Sequence, residues 1–421
     1  MTMNLFLIIL AVVVVLTYLF TLSVDILNIR HTDPQLPEEF EGYYNPDKYE
    51  RSQLYLIART RLKLIYKGIV TLGFLLAFLL GGFNALDQLL RKLVSFPPLA
   101  GLLFLGIIGV ILELLSLPFT AYYNFVLEER FGFNRMTLKT FIFDQLKSWL
   151  MTISIGGSAL FGILSMFHFV DPLAWLYNWL VSAFFFVLFS YLAPVIFLPL
   201  TFNFEPLQEG ELRDTLETYA SKEDFPYAGI YSVDASKRTT KANAFFVGFG
   251  RLKRIALFDN LINNYTVDEI GSIFAHEVGH NKKKHTLIRL AINFLTMGLS
   301  FYLLSLFSIQ TTFLFNLFEI TTPSVYVGIL IFYFLISETP IGFLFSWFSS
   351  SLSRHFEYQA DAFAIKTYQQ PEPYIRALKK LSVHGLSNLT PHPLKIQLDY
   401  SHPPMLKRIN KIKEVVSEFD K

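Results

Sequence analysis

The stretch Ile273-Phe274-Ala275-His276-Glu277-Val278-Gly279-His280 carries two histidines four residues apart with a glutamate directly after the first. On an α-helix His276 and His280 lie one turn apart on one face, where two imidazoles can bind a single metal ion. Glu277 projects about 100° round the helix. There its carboxylate can take a proton from a water held by that ion. Zinc-dependent peptide-bond hydrolysis requires this arrangement. Thr266 followed three residues later by Glu269 has the form of a capping box, so the predicted helix begins near Thr266.

Two histidines leave a tetrahedral zinc in need of a third protein ligand and a water. No third histidine follows at the short spacing of the H-E-x-x-H-x-x-G-x-x-H class, and His285, five residues on, is expected to point off the ligand face. A carboxylate from elsewhere is the natural alternative. Ser353-Arg354-His355-Phe356-Glu357-Tyr358-Gln359-Ala360-Asp361 reads as helix, with Arg354, Glu357 and Asp361 on one stripe. That stripe is either a surface salt-bridge ladder or a source of ligands. In the second reading Glu357 binds the metal and Asp361 holds a ligand histidine by its second nitrogen.

The elements that must position these groups are mostly membrane helices. The chain has 421 residues, 52% of them hydrophobic, with 44 Phe and only 17% charged residues; a typical soluble domain has about 25% charged. Apolar runs long enough to span a bilayer cover about 4–24, 65–86, 99–121, 148–169, 174–198, 287–308 and 324–347. The first is read as a span and not a cleaved signal, because no basic residue precedes it and no small-residue cleavage site follows. Segments rich in Lys and Arg alternate with nearly uncharged ones, which puts the N-terminus outside and both 201–285 and the tail in the cytoplasm. Spans six and seven then return the chain to the same side, favouring Glu357 as ligand. The organisation is a membrane region 1–200 with spans one to five, a catalytic segment 201–285, spans six and seven in 286–349, and a second catalytic segment 350–421.

Within 201–285, Ile230–Val233, 244–247 and 254–258 read as short strands, punctuated by Gly248 and Gly250. A small sheet beside the metal helix offers an edge on which an extended peptide can pair. Glu113 and Glu338 lie at membrane depth and are expected to face a cavity or to hydrogen-bond between helices. The net charge of +2 argues for neither nucleic acid nor strongly acidic substrates. The lack of cysteine excludes disulfides, thiolate zinc sites and a cysteine nucleophile. Phosphate-binding, dinucleotide and serine-hydrolase signatures are absent from the sequence. His402-Pro403-Pro404 with Arg408 reads, by physics alone, as the start of a terminal helix.

The sequence resembles the CAAX prenyl proteases of the Ste24 type within the M48 metallopeptidases. His276-Glu277-Val278-Gly279-His280, Glu357-Tyr358-Gln359-Ala360-Asp361, Glu128-Glu129 to Gly132-Phe133-Asn134, Lys241-Ala242-Asn243-Ala244-Phe245-Phe246 and Ser401-His402-Pro403-Pro404 with Arg408 carry the likeness. The resemblance implies a mainly α integral membrane fold. Seven transmembrane helices would surround a large chamber, capped by a cytoplasmic α+β gluzincin-type catalytic domain. It implies one zinc ion on His276, His280 and Glu357, Glu277 as general base and Asp361 behind the ligands. Asn243 and His402 would contact the substrate backbone or the developing oxyanion, with Arg408 nearby. The implied partners are membrane lipids and a peptide substrate, either a prenylated C-terminal peptide or, in a bacterial inner membrane, misfolded or general membrane-associated protein. A bacterial source is favoured over the endoplasmic reticulum by the lack of cysteine and of a retrieval tail. A transporter or scaffold with structural zinc is the rival from another class, and a spare carboxylate beside the ligands, Glu277, argues against it.

Overall fold

The computed structural model describes residues 5–170, 173–192, 199, 202–248, 253–309 and 324–419. The membrane part begins with α1 (Leu5–Arg30) and α2 (Pro46–Leu79). Helix α2 starts where Asn45 caps it, its side chain accepting from the Lys48 amide, and Pro46 occupies the first turn. At 34 residues it is about 51 Å long, well beyond a hydrocarbon core of about 30 Å. Its charged first half therefore projects from the bilayer. It ends earlier than the expected span 65–86, because Gly81 turns the chain at φ +69°, in the left-handed region open to glycine. The amphipathic α3 (Gly82–Leu93) follows.

Helix α4 (Pro97–Tyr122) runs into a π-helical turn, Tyr123–Glu128. Helices α5 (Leu138–Met151) and α6 (Gly157–Phe169) join through a second π turn, and α7 is Ala174–Leu192. The expected end of span five, 193–198, lies outside the described residues, as does the loop 310–323 between spans six and seven. At membrane depth, the Glu113 carboxylate accepts from Trp149 Nε1 at 2.9 Å, and Glu338 accepts from Thr71 Oγ1 at 3.2 Å. Both acids thus hydrogen-bond between helices.

The water-facing part places β1 (Phe204–Pro206), β2 (Gly229–Val233), β3 (Ala244–Val247) and β4 (Arg254–Phe258) in one sheet of order β1-β2-β4-β3. Strand β2 runs parallel to β4, and β1 and β3 pair antiparallel with their neighbours. Strand β1 escaped the sequence reading, since three residues ending in proline carry no alternation. Around the sheet lie α8 (Glu211–Lys222), α9 (Asp259–Asn264) and α10 (Val267–Lys282). Their shared core includes Leu216, Phe225, Ile255, Leu257, Leu261, Ile270 and Phe274.

Helix α11 (His285–Ile309) re-enters the membrane, and α12 (Val325–Ser337) is followed by α13 (Pro340–Tyr368). Among the described residues six helices are long and apolar enough to cross a bilayer, or seven if α12 and α13 count as one span bent by 63°. The seventh span expected over about 324–347 is thus this bent pair. The chain breaks at Glu338-Thr339, where Pro340 supplies no N–H and Thr339 caps the new helix. Helix α13 then passes without interruption from apolar residues to the polar tail. Helices α14 (Pro371–His384), α15 (Pro393–Asp399) and α16 (Met405–Phe419) complete the fold.

The connector after α4 ties the two parts together. Thr240 N donates to Phe133 O at 3.2 Å, Arg135 N donates to Arg238 O at 3.1 Å, and Lys241 Nζ lies 2.8 Å from Glu128 Oε2.

Candidate metal centre

Helix α10 starts at a complete capping box: Thr266 Oγ1 accepts from Glu269 N at 3.3 Å and Glu269 Oε2 accepts from Thr266 N at 2.9 Å. Lys380 holds the same carboxylate at 2.7 Å, fixing the helix against α14. Helix α13 crosses α10 closely because two glycines leave room. A Cβ at Gly279 would stand 3.1 Å from the Ala360 carbonyl and from Phe363 Cβ, and one at Gly271 would collide with the Tyr368 hydroxyl. On the far side, Phe246 of β3 packs on Phe274 with ring centroids 5.8 Å apart. The motif helix is therefore clamped between β3 and α13.

This crossing brings Glu357 over the two histidines. His276 Nε2 and His280 Nε2 are 3.1 Å apart, Glu357 Oε2 is 3.5 Å from the first and Glu357 Oε1 is 3.3 Å from the second. Ligand atoms about 2.0–2.1 Å from a tetrahedral zinc would be separated by about 3.4 Å, so the three donors fit one ion. His276, His280 and Glu357 form the only three-residue cluster of metal-ligating side chains among the described residues.

A second ring of residues fixes which nitrogen each imidazole presents. His276 Nδ1 lies 2.8 Å from Asp361 Oδ1. A carboxylate only accepts, so its closeness favours the hydrogen on Nδ1 and leaves Nε2 as the nitrogen that would meet a metal. Burial pushes the His276 imidazole down, but Asp361 and Glu357 override it and hold the pKa at about 9. In ion-free protein the two carboxylates thus favour a proton where a metal would replace it. Arg408 is buried and donates to Asp361 from Nε at 2.9 Å and from Nη2 at 2.6 Å. Tyr374 donates its hydroxyl to Asp361 at 2.7 Å. Asp361 and Arg408 therefore stand behind the three candidate donors and do not face open space.

His280 is oriented the same way from the other side. His285 donates from Nε2 to Gln359 Oε1 at 2.8 Å, which leaves its Nδ1 as acceptor. That Nδ1 lies 2.9 Å from His280 Nδ1, so His280 donates there and keeps Nε2 free. The His285 ring is stacked on Phe356 at 4.1 Å. His285 is not among the three clustered donors, yet its contact orients His280. Neither this role nor that of Tyr374 has a local signal in the sequence.

Three groups remain on the open side. Glu277 is half-buried on α10, and among the described residues no side chain hydrogen-bonds to it. His402 has a side chain 65% exposed, with Nδ1 2.9 Å from Glu357 Oε2. Asn243 is exposed at the start of β3, where its Oδ1 accepts from Ala244 N at 3.0 Å and its carbonyl accepts from Phe258 N at 3.0 Å. Arg354 does not join a salt-bridge ladder with Glu357; it reaches the main chain of α15.

Comparison with known proteins agrees with this architecture. Residues 25–203 match the family described as CAAX prenyl protease N-terminal, five membrane helices, and residues 206–416 match peptidase family M48. CAAX prenyl protease 1 of Saccharomyces cerevisiae is 35% identical over 340 residues, 76% of this chain and 73% of the yeast protein. The CAAX prenyl protease 1 homolog of Oryza sativa subsp. japonica is 31% identical over 96% of both chains. The crystal structure of S. mikatae Ste24p superposes with a TM-score of 0.88 at 29% identity, covering 97% of this chain and 99% of that one. The chain belongs to peptidase family M48, as a multi-pass integral membrane metalloendopeptidase of the Ste24 type.

Proposed function

We propose that the metal is one zinc ion held by His276, His280 and Glu357, and that the enzyme cleaves prenylated C-terminal peptides of the CAAX type. The observation that carries the chemistry is the convergence of three donors at 3.1–3.5 Å with Glu277 on the same helix. Zinc, when bound, supplies Lewis-acid activation of water and of the scissile carbonyl. Glu277, with no protein partner among the described residues, takes one proton from the attacking water as its oxygen bonds to the carbonyl carbon. It passes that proton to the amide nitrogen as the C–N bond breaks, leaving an amine and a carboxylic acid, whose remaining water proton ends on the amine to give carboxylate and ammonium. His402 donates to the oxygen on which charge develops.

Asn243 and the unpaired edge of β3 hold the substrate backbone, since among the described residues β3 pairs only with β4. Asp361 and Arg408 act by positioning His276. The alternation of basic and uncharged loops supports a cytoplasmic site, with 201–285 and 350–421 as its catalytic segments; the chamber enclosed by the membrane helices rests on the likeness to the Ste24 type.

The prenyl requirement rests on the names of the relatives and is tested with a matched pair of peptides, one farnesylated and one bare. Purified protein is incubated with both, products are read by mass spectrometry, and Glu277→Gln serves as the blank. Preferred cleavage of the farnesylated peptide is expected. Equal cleavage would overturn the prenyl requirement and leave general membrane-associated proteolysis, the reading that clearance of misfolded membrane proteins also needs.

A further inference from the structure

The face of α13 that carries Glu357 and Asp361 continues backwards through Arg354, Ser350 and Ser346. At 100° per residue these five positions fall within about 80° of one another. The two carboxylates serve the metal group, whereas the other three reach a different target. Arg354 Nη1 donates to the carbonyls of Ile396 at 2.9 Å and Tyr400 at 2.8 Å. Ser346 Oγ donates to Leu398 O at 2.8 Å. Among the described residues no carboxylate pairs with Arg354.

These carbonyls belong to the last turn of α15 and the residue after it. A helix of seven residues leaves its last carbonyls without intrahelical donors. A cation at a helix C-terminus satisfies them and meets the negative end of the dipole. The other flank of α15 is pinned to α1, where Lys395 bonds Asp25 and His392 N donates to Asn28 Oδ1 at 3.0 Å. Two residues after Tyr400 the chain reaches His402, whose Nδ1 meets Glu357. Glu357 lies three residues from Arg354 on the same helix.

We infer that Arg354 is a positioning residue, which fixes the 396–402 segment to the ligand-bearing helix and so sets where the His402 imidazole stands over the metal group. The inference rests on the role given above to His402. One rigid helix face thereby registers a ligand, its supporting acid and an oxyanion donor against each other.

The test is a double-mutant cycle with a second readout in ion-free protein. His402→Ala is expected to lower kcat/KM about 100-fold, the size of a lost oxyanion donor. Arg354→Ala is expected to lower it about tenfold or more with bound metal unchanged. In the His402→Ala background Arg354→Ala should have no further effect, since coupled residues are not additive. Arg354→Lys, a point charge without the planar fork, should fall between Arg354→Ala and wild type. If Arg354→Ala does not fold, Arg354→Lys carries the same cycle.

Amide hydrogen exchange of 396–402 in the ion-free protein should quicken about tenfold in the Arg354 variants, with 267–282 unaffected. Multiplying losses in the double variant, metal lost together with Arg354, or unchanged exchange would each overturn the inference. Wild-type activity of His402→Ala would instead remove the role given to His402. The exchange result then decides whether Arg354 fixes the segment at all.

Discussion

Asp361→Asn isolates the support behind His276 with little change of shape. Asp361 receives three hydrogen bonds, from Tyr374 OH at 2.7 Å, Arg408 Nε at 2.9 Å and Arg408 Nη2 at 2.6 Å, and lies 2.8 Å from His276 Nδ1. The amide keeps one oxygen and presents an NH2 group to donors where the second oxygen stood. It also leaves Arg408 buried without its main counter-charge. Breaking a buried ion pair from one side costs about 3–5 kcal/mol. The lower end applies here, because Arg408 also lies 3.5 Å from Glu357 Oε2 and 3.0 Å from the Tyr374 hydroxyl. Loss of the carboxylate behind a ligand histidine should weaken metal binding about 10–100-fold.

Thermal unfolding of detergent-solubilised protein, with chelator and with excess zinc, measures the first effect; competition against a chromophoric chelator measures the second. The melting temperature should fall in both conditions, with zinc restoring part of it by mass action. An unchanged melting temperature together with an unchanged metal Kd would refute the reasoning.

Gly279→Val would put branched carbons into the Ala360 carbonyl and Phe363, where even one Cβ stands at 3.1 Å. Overpacking of about 1–3 kcal/mol should be relieved by α13 moving off α10, carrying Glu357 from the histidines, so purified protein should contain less metal; full occupancy would contradict this. Because the folded pKa of His276 is raised to about 9 in the ion-free protein, the ring holds a proton at neutral pH that an incoming ion displaces. This proton stabilises the ion-free fold below the ordinary histidine range, and that contribution is lost as pH rises through about 9. Zinc affinity should accordingly drop about tenfold for each pH unit below that value, and calorimetry in buffers of different ionisation heat should detect proton release at pH 7. Buffer-independent heats would count against it.

The parts of this site legible in the sequence are those whose geometry is local. His276, Glu277 and His280 are related by helix periodicity alone, and Thr266 with Glu269 marks the helix start. Glu357 and Asp361 emerge from the same periodicity once the chain is known to return to one side of the membrane. What stayed hidden depends on contacts between distant elements. Tyr374 meets Asp361 only because α14 folds back over α13, and His285 supports His280 only because a tight turn after α10 swings it round. Arg354 looked like half of an ion-pair ladder, and nothing in its own helix reveals that the carbonyls of α15 lie above it. The break at Glu338-Thr339 was masked by hydropathy, which stays high across it and does not register the missing N–H of Pro340. Membrane spans are legible in the sequence as stretches and less so as boundaries, since helices such as α2 continue past the lipid into water.

The most direct test of the account is zinc content by elemental analysis, taken with peptide cleavage, on purified wild type, Glu277→Gln and Glu357→Ala. One zinc per chain is predicted for wild type and for Glu277→Gln, with hydrolysis lost about 10²–10⁴-fold in the latter, and loss of the ion is predicted for Glu357→Ala. A full complement of zinc in Glu357→Ala, or wild-type cleavage by Glu277→Gln, would contradict it.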